Sequence, residues 1–311
     1  VGRVKIRPDA KAKVTGKARY TDDLEFPGMI VGKALRAGVP HAILKKLSVE
    51  RARQLTGVSA VLTAADIPGT HWHGLVIEDW PVLVEVGERV RYVGDAVAIV
   101  AADSEEIADQ ALKLIEAEYE LLPVIKNAVE SRYSDEQLHP NGNLLKHIKV
   151  RKGDLQAGFD QSEFILEHTF QTVATDHAFI EPECSIAKLA GDGRMEIYVG
   201  SQIPYSDRKQ VAAALGWPEE QVHIIGTLIG GGFGGKEDIM GQIHAALLCW
   251  KTGRPVKILF DRHESLVVHP KRHATQIRVK MGANRQGKLL SVETELYGDT
   301  GAYASLGEKV L

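Results

Sequence analysis

The residues best suited to chemistry form a glycine-rich loop at 230–237 with the sequence GGGFGGKE. Glycines at this density let a backbone approach a ligand closely, with its N–H groups pointing at that ligand. Gly230–Gly235 also fits the dinucleotide-binding fingerprint Gly-x-Gly-x-x-Gly, and Asp261 supplies a downstream acidic residue. A nucleotide-binding dehydrogenase that uses Gly230–Gly235 and Asp261 is therefore one candidate function.

A phosphate loop is the second interpretation of this stretch, because Gly230 to Lys236 has the spacing Gly-x-x-x-x-Gly-Lys. A phosphate loop continues with Ser or Thr, which holds magnesium, whereas this chain continues with Glu237. A carboxylate beside a triphosphate is repelled, so the sequence excludes this interpretation.

Histidine and cysteine add little chemistry of their own. His177 and Glu181 are four residues apart but lack a third ligand, so we predict no protein-bound metal. The histidines that follow residue 260 are predicted to lie in a solvated loop without a role: His263, His269 and His273. Cys184 and Cys249 are predicted to be buried reduced thiols, which indicates the cytoplasm and leaves too few thiols for an iron–sulfur cluster.

Length and charge restrict the class of protein. A chain of 311 residues is expected to form about two domains. A net charge of -3 gives no field that would attract nucleic acid. The sequence has no apolar run of about 18 residues or more, so we expect no membrane span.

The first region, residues 1–127, alternates strands and helices. Strands are predicted at Met29–Leu35, Ile43–Leu47, Val58–Leu62 and Val97–Val100. Ser48 is predicted to cap a short helix, and Asp103 or Ser104 opens a second helix with an apolar face. Helices packed on a small sheet make an α+β domain.

The polar segment 128–153 is interpreted as a linker or an irregular crossing segment, because it has no apolar periodicity. The region 154–311 follows as a second α+β domain, which we interpret as truncated. Its predicted helices are Asp207–Leu215, with a box-like start at Asp207 and a terminal Gly216, and Ile239–Trp250. Its predicted strands are Phe164–Val173, Val222–Ile229 and Val256–Phe260, followed by a hairpin of Gln276–Met281 and Leu289–Tyr297.

Several segments besides the glycine loop resemble one family, the xanthine dehydrogenase/aldehyde oxidase-type molybdenum hydroxylases. They are Lys13–Asp23, Val58–Pro68, Val90–Val100, Tyr119–Pro123, His177–Glu183, Gly200–Pro204 and Asp299–Tyr303. The resemblance implies a hammerhead-type α+β domain at 1–127 and the first portion of a molybdopterin-binding domain at 154–311. The chain is thus similar to the N-terminal part of the family's large subunit.

The resemblance also implies roles for individual residues. Gln202 should reach an oxygen-type ligand of the molybdenum, and the backbone N–H groups of Phe233 and Gly234 should face its oxo group. Gly232 and Gly235 complete the implied cofactor-binding set. His177 and Glu181 should shape the fold near the cofactor.

Glu237 matches a glutamate that binds the heterocyclic substrate in purine-hydroxylating members. The implied activity is oxidation of a purine or another N-heterocycle with water as the oxygen source; an aldehyde-oxidising member is the alternative. Xanthine-type members carry an arginine in the segment corresponding to Asp299–Gly307, which this chain lacks, so Tyr303 is the candidate substrate contact there.

The resemblance finally implies what this chain needs from elsewhere. No segment matches the family's general base, which is expected beyond Leu311. [2Fe-2S] clusters and FAD are expected on other domains or subunits, together with the remaining half of the molybdenum domain. We therefore expect the isolated chain to be inactive and to carry little or no molybdenum.

Overall fold

A computed structural model describes residues 2 and 5–310 of the chain, so Val1 and Leu311, which bound the predicted domains, lie outside the described residues. The described chain forms two compact units. Unit 1 consists of residues 1–122 and 177–270, and unit 2 consists of residues 123–176 and 271–311.

Both helices and strands occur along the described chain. The α-helices are α1 (Ala10–Val14), α2 (Glu50–Arg53), α3 (Glu105–Leu114), α4 (Ala128–Tyr133), α5 (Leu155–Asp160), α6 (Pro204–Leu215), α7 (Gln242–Thr252) and α8 (Arg262–Val268). The strands are β1 (Ile30–Arg36), β2 (Ala42–Ser48), β3 (Val58–Leu62), β4 (Trp72–His73), β5 (Trp80–Pro81), β6 (Arg89–Val90), β7 (Ala96–Ala102), β8 (Glu116–Leu121), β9 (Phe164–Thr172), β10 (Cys184–Leu189), β11 (Met195–Val199), β12 (Val222–Gly226), β13 (Val256–Leu259), β14 (Ala274–Ala283) and β15 (Leu289–Asp299).

Unit 1 is built on a seven-stranded mixed sheet in the order β12-β11-β10-β13-β1-β7-β3. β7 is buried along its whole length, because α7 packs on one face of this sheet and α3 on the other. β13 pairs in parallel with β1, with Ile30 opposite Val256. A three-stranded sheet, β6-β2-β8, and the pair β4-β5 complete the unit.

Unit 2 has a three-stranded antiparallel sheet in the order β15-β14-β9. α4 and α5 pack on one face of that sheet. The opposite face carries apolar side chains that remain exposed, among them Phe164, Leu166, Phe170, Val292 and Leu296.

The predicted α+β class is confirmed, and so are several local elements. Ser104 caps α3 by accepting a hydrogen bond from Ile107 N at 3.3 Å. Gly216 ends α6 in the left-handed conformation, and β14 and β15 form the predicted hairpin.

Other local predictions were wrong. Ser48 belongs to β2 and does not cap α2. α6 begins at Pro204, whose fixed φ suits the first helical position, so Asp207 lies inside the helix and is buried. The segment 128–153 is not wholly irregular, because Asn127 caps α4 through Glu130 N at 2.9 Å.

The two compact units also differ from the predicted segments 1–127 and 154–311. β10 to β13 lie beyond residue 154 in sequence, yet they complete the sheet that contains β1, β7 and β3. Chain order alone therefore does not define the compact units, and the boundaries at 127 and 154 stay a prediction. Within the part of the chain that the structure describes, no helix is both long enough and apolar enough to cross a membrane.

Candidate cofactor-facing loop

The glycine loop lies in unit 1 between β12 and α7. β12 ends at Gly226, three residues earlier than the predicted strand end, and α7 begins only at Gln242. A 3-10 turn at Gly235–Glu237 separates the glycines from that helix. The dinucleotide fingerprint needs a helix that starts within the glycine motif, so its structural context is missing. Asp261, its proposed ribose ligand, caps α8 by accepting from Glu264 N at 2.7 Å.

Much of the glycine density is explained by close packing against the protein itself. A Cβ at Gly230 would lie 2.5 Å from the Cβ of Glu181, and a Cβ at Gly235 would lie 2.5 Å from the ring of His269. A Cβ at Gly232 would collide with the side-chain oxygen of Gln202. These glycines let three side chains approach the loop, so the glycine count alone is weaker support for a ligand than the sequence indicated.

The apex of the loop is strained and open. Phe233 has a φ of 54°, a left-handed conformation that non-glycine residues rarely adopt, and its side chain is 76% exposed. Gly234 also has a positive φ, and a Cβ there would meet nothing within 4 Å. Strain of this kind concentrates at ligand-binding and active sites.

Gln202 is held in one orientation by the loop. Its Oε1 accepts hydrogen bonds from Gly234 N at 3.1 Å and from Lys236 N at 3.3 Å. Two N–H donors can only meet the oxygen of the amide, so its NH2 group must point away from them. Within the described chain this NH2 group has no protein partner, which leaves it available as a donor.

The two predicted backbone donors therefore differ. The Gly234 N–H already binds Gln202, whereas the Phe233 N–H has no partner in the described residues. The donors that no described protein group occupies are the Phe233 N–H and the Gln202 NH2, and both are suited to an oxygen ligand that carries negative charge.

An ion pair joins the two ends of the loop. Glu181 Oε2 accepts from Gly230 N at 2.6 Å and from Lys236 Nζ at 2.7 Å. The Lys236 ammonium also lies 4.8 Å from the centroid of the Phe179 ring. Both charged side chains are largely buried. Glu181 thus acts on the loop through hydrogen bonds.

His269 corrects the prediction of a solvated histidine loop. It is only 3% exposed, and its Nε2 lies 2.6 Å from Gly235 O. Its ring contacts those of His177 and Phe179 edge-on. Sequence reasoning missed this residue because nothing in the spacing from Asp261 to His273 indicates that the chain turns back onto the glycine loop. His263, in contrast, is exposed on α8.

The two predicted substrate contacts lie in different units. Glu237, in unit 1, is half-buried, and its carboxylate has no protein partner in the described residues. Tyr303, in unit 2, is 7% exposed and packs against His139 with ring centroids 6.3 Å apart. A substrate role for Tyr303 stays a prediction, and its burial weighs against it.

Two family models match the chain. A molybdopterin cofactor-binding domain matches residues 138–311, and the α/β hammerhead domain of aldehyde oxidase and xanthine dehydrogenase matches residues 15–123. The chain belongs to the xanthine dehydrogenase/aldehyde oxidase family of molybdenum hydroxylases. The predicted resemblance is confirmed, and molybdenum–molybdopterin is the cofactor of this family's domain.

Relatives in this family differ in the substrate that their names give. A probable xanthine dehydrogenase subunit of Bacillus subtilis is 44% identical over 99% of this chain and 41% of its own length. The nicotinate dehydrogenase large molybdopterin subunit of Eubacterium barkeri is 39% identical over 100% of this chain and 73% of its own. The chain spans less than half of the Bacillus protein, so activity, substrate and partners of the whole protein are matters for proposal.

A solved family structure supports the fold. The aldehyde oxidoreductase of Desulfovibrio gigas matches with a TM-score of 0.90 and 27% identity, over 98% of this chain and 35% of that one. The family thus spans aldehyde and heterocycle oxidation on one fold, and the substrate has to be argued from the site.

Proposed function

We propose that this chain forms one wall of the molybdenum site in a hydroxylase that oxidises a purine or another nitrogen heterocycle, with water as the oxygen source. The observation that carries the proposal is the orientation of the Gln202 amide, whose NH2 group faces outward because two backbone N–H groups occupy its oxygen. The donor pair at the loop apex fits a group that carries oxygen ligands.

The protein's part in this chemistry is placement. When bound, the molybdenum–pterin group supplies the redox chemistry of the hydroxylation. The Gln202 NH2 and the Phe233 N–H are the donors that would hold oxygen atoms of this group. Such fixed donors stabilise negative charge without reorganising during the reaction. Gly234 acts through its bond to Gln202, and Gly232 and Gly235 leave room for the side chains of Gln202 and His269.

Glu237 favours a heterocycle over an aldehyde. Its carboxylate has no partner in the described chain, so a ring N–H of the substrate can donate a hydrogen bond to it. An aldehyde offers no second polar group for such a contact. The aldehyde-oxidising function stays the alternative, supported by the likeness to the aldehyde oxidoreductase.

The complete enzyme is proposed to contain more than this chain. The general base, the remaining half of the molybdenum domain, and domains or subunits with [2Fe-2S] clusters and FAD belong to that proposal. We place the enzyme in the reducing cytoplasm, in keeping with Cys184 and Cys249, which are free and buried. Burial raises the pKa of both thiols to about 12.

The test compares substrates in the complete enzyme. We expect Glu237→Gln to lower kcat/KM for a purine by about 10–100-fold, because the ring N–H then donates to a neutral amide in place of a charged carboxylate. Turnover of an aromatic aldehyde should change far less. Glu220→Gln removes an exposed carboxylate in the same unit and serves as the control. An equal loss on both substrate classes would contradict the heterocycle assignment.

Metal analysis tests whether this chain needs the remaining half of the molybdenum domain to hold molybdenum. The isolated chain should contain far less than stoichiometric molybdenum, whereas the complete enzyme should approach one molybdenum per chain. Near-stoichiometric metal in the isolated chain would contradict the proposed need for the remaining half. Saturable micromolar binding of a nicotinamide dinucleotide to Gly230–Gly235 would instead favour the dehydrogenase alternative.

A further inference from the structure

His269 follows α8 in sequence, and its side chain contacts the backbone of the glycine loop. Its side chain is fully buried, and its Nε2 lies 2.6 Å from Gly235 O. A carbonyl oxygen can only accept a hydrogen bond, so Nε2 must carry the proton. His269 is therefore a donor to the backbone of the loop.

The peptide group that His269 binds is held at its other end by Gln202. Gly235 O and Lys236 N belong to the same peptide unit, and Lys236 N donates to Gln202 Oε1 at 3.3 Å. Gln202 N in turn donates to Lys236 O at 3.0 Å. Rotation of this peptide would break both the bond to His269 and one of the two bonds that orient the Gln202 amide.

Packing keeps the His269 ring in place. Phe179, itself buried, contacts the ring edge-on with centroids 4.9 Å apart. A Cβ at Gly235 would lie 2.5 Å from the ring, so only glycine allows the histidine to come this close. Phe179 also packs against the loop itself, because a Cβ at Gly235 would lie 3.0 Å from its ring.

A buried carboxylate lies beside the same nitrogen. Glu183 is 8% exposed, and its Oε1 is 3.8 Å from His269 Nε2. Neither carboxylate oxygen of Glu183 has a hydrogen-bond partner among the described residues. The Nε2–H group that donates to Gly235 O therefore also lies close to an oxygen of Glu183, and this contact favours the ring orientation in which Nε2 faces the loop.

We infer that His269, supported by Glu183, is a positioning residue of the molybdenum site. It fixes the Gly235–Lys236 peptide, that peptide helps to fix Gln202, and the outward NH2 of Gln202 is the group that meets the ligand. The effect of His269 on catalysis rests on the proposed function. Its effect on the order of the glycine loop does not depend on that function. His269 acts through the backbone and is not itself a catalytic residue.

The test uses variants that separate donation from space filling. His269→Phe keeps a buried ring but removes the donor, and His269→Gln retains an N–H donor. Hydrogen exchange, measured by mass spectrometry in the purified full-length protein, reports the Gly234 and Lys236 amides. We expect His269→Phe to speed their exchange and to lower molybdenum content or kcat by about 10–100-fold, as for groups that orient metal-site residues indirectly.

Rescue and control variants decide between positioning and simple packing. His269→Gln should restore most of the protection, whereas His263→Phe, a change on the exposed side of α8, should leave it unaltered. Glu183→Gln leaves the ring in place and should weaken protection less than His269→Phe does. The Mo(V) electron paramagnetic resonance spectrum of the complete enzyme should differ from that of the wild type in His269→Phe. In His269→Gln it should match the wild-type spectrum again.

Two outcomes would overturn the inference. One is unchanged exchange of the Gly234 and Lys236 amides in a folded His269→Phe protein. The other is a His269→Gln protein as exchange-prone as His269→Phe, which would show that ring packing alone orders the loop. If the wild-type enzyme proved not to oxidise heterocycles, the proposed function would fail, but the exchange measurements would still test the role of His269.

Discussion

Unit 1 and unit 2 bury their sheets in different ways. In unit 1, helices pack on both faces of the seven-stranded sheet, and residues such as Ile197 and Leu247 are fully buried. In unit 2, helices pack on one face of the three-stranded sheet, and Leu166 on the other face is 70% exposed. Apolar burial is the main favourable contribution to folding. Unit 1 therefore has a core of its own, whereas unit 2 presents apolar surface that a further protein segment could bury.

The largest expected effect comes from truncating one apolar side chain in each sheet. Ile197→Ala should lower the free energy of unfolding by about 2–5 kcal/mol, because it leaves a cavity. Leu166→Ala should change it by less than about 0.5 kcal/mol, because its side chain is already in water. Urea unfolding followed by circular dichroism measures both. Equal losses would show that the open face of unit 2 is covered in solution.

A buried carboxyl in unit 1 gives the next largest effect. Burial raises the pKa of Asp207 from 3.8 to about 6. The folded state thus holds this proton more tightly, and the wild-type protein loses stability as the pH rises from about 4 to about 6. Asp207→Asn should be more stable by up to about 3 kcal/mol at pH 8, at 1.36 kcal/mol per pKa unit.

The pH dependence of the stability gained in Asp207→Asn tests whether titration of Asp207 is its cause. The advantage of Asp207→Asn should vanish below about pH 4, where both states of the wild-type protein are protonated. Asp160→Asn alters an exposed carboxylate in unit 2 and should change the unfolding free energy by less than about 0.5 kcal/mol at every pH. A gain independent of pH would rule out the titration of Asp207 as its cause.

The smallest expected difference in stability between the units comes from replacing one glycine in each. Gly235→Ala in unit 1 should cost about 1–3 kcal/mol, because its methyl group meets the His269 ring. Gly287→Ala in the hairpin turn of unit 2 should cost about 1–2 kcal/mol, because Gly287 has a φ of 78° and open space around it. Asparagine tolerates positive φ, so Gly287→Asn should recover stability while Gly235→Asn should not. If asparagine restored stability at both positions, contact with the His269 ring would not be what excludes side chains at position 235.

Elements that depend on neighbouring residues were predictable from the sequence. The Ser104 cap, the left-handed Gly216 and the β14–β15 hairpin each follow from local hydrogen bonding or backbone sterics. The family and its cofactor were also recognisable, because several motifs occur in the expected order.

Contacts between distant residues were not predictable in the same way. The spacing around residue 269 carries no periodic signal, so His269 was placed in solvent, although its ring packs on Gly235. The predicted Gly234 donor binds Gln202, and that depends on a hydrogen bond across 32 positions in sequence. Such pairings arise from tertiary packing, which a local pattern does not record.

The parallel pairing of β1 with β13 has a consequence for synthesis on the ribosome. β1 ends at Arg36, and its partner begins at Val256, so the central sheet cannot close until the second strand has emerged. At about 5–20 residues per second this delay is roughly 10–45 s. During that interval one edge of β1 lacks its native neighbour, which leaves its backbone N–H and C=O groups open to pairing with another chain.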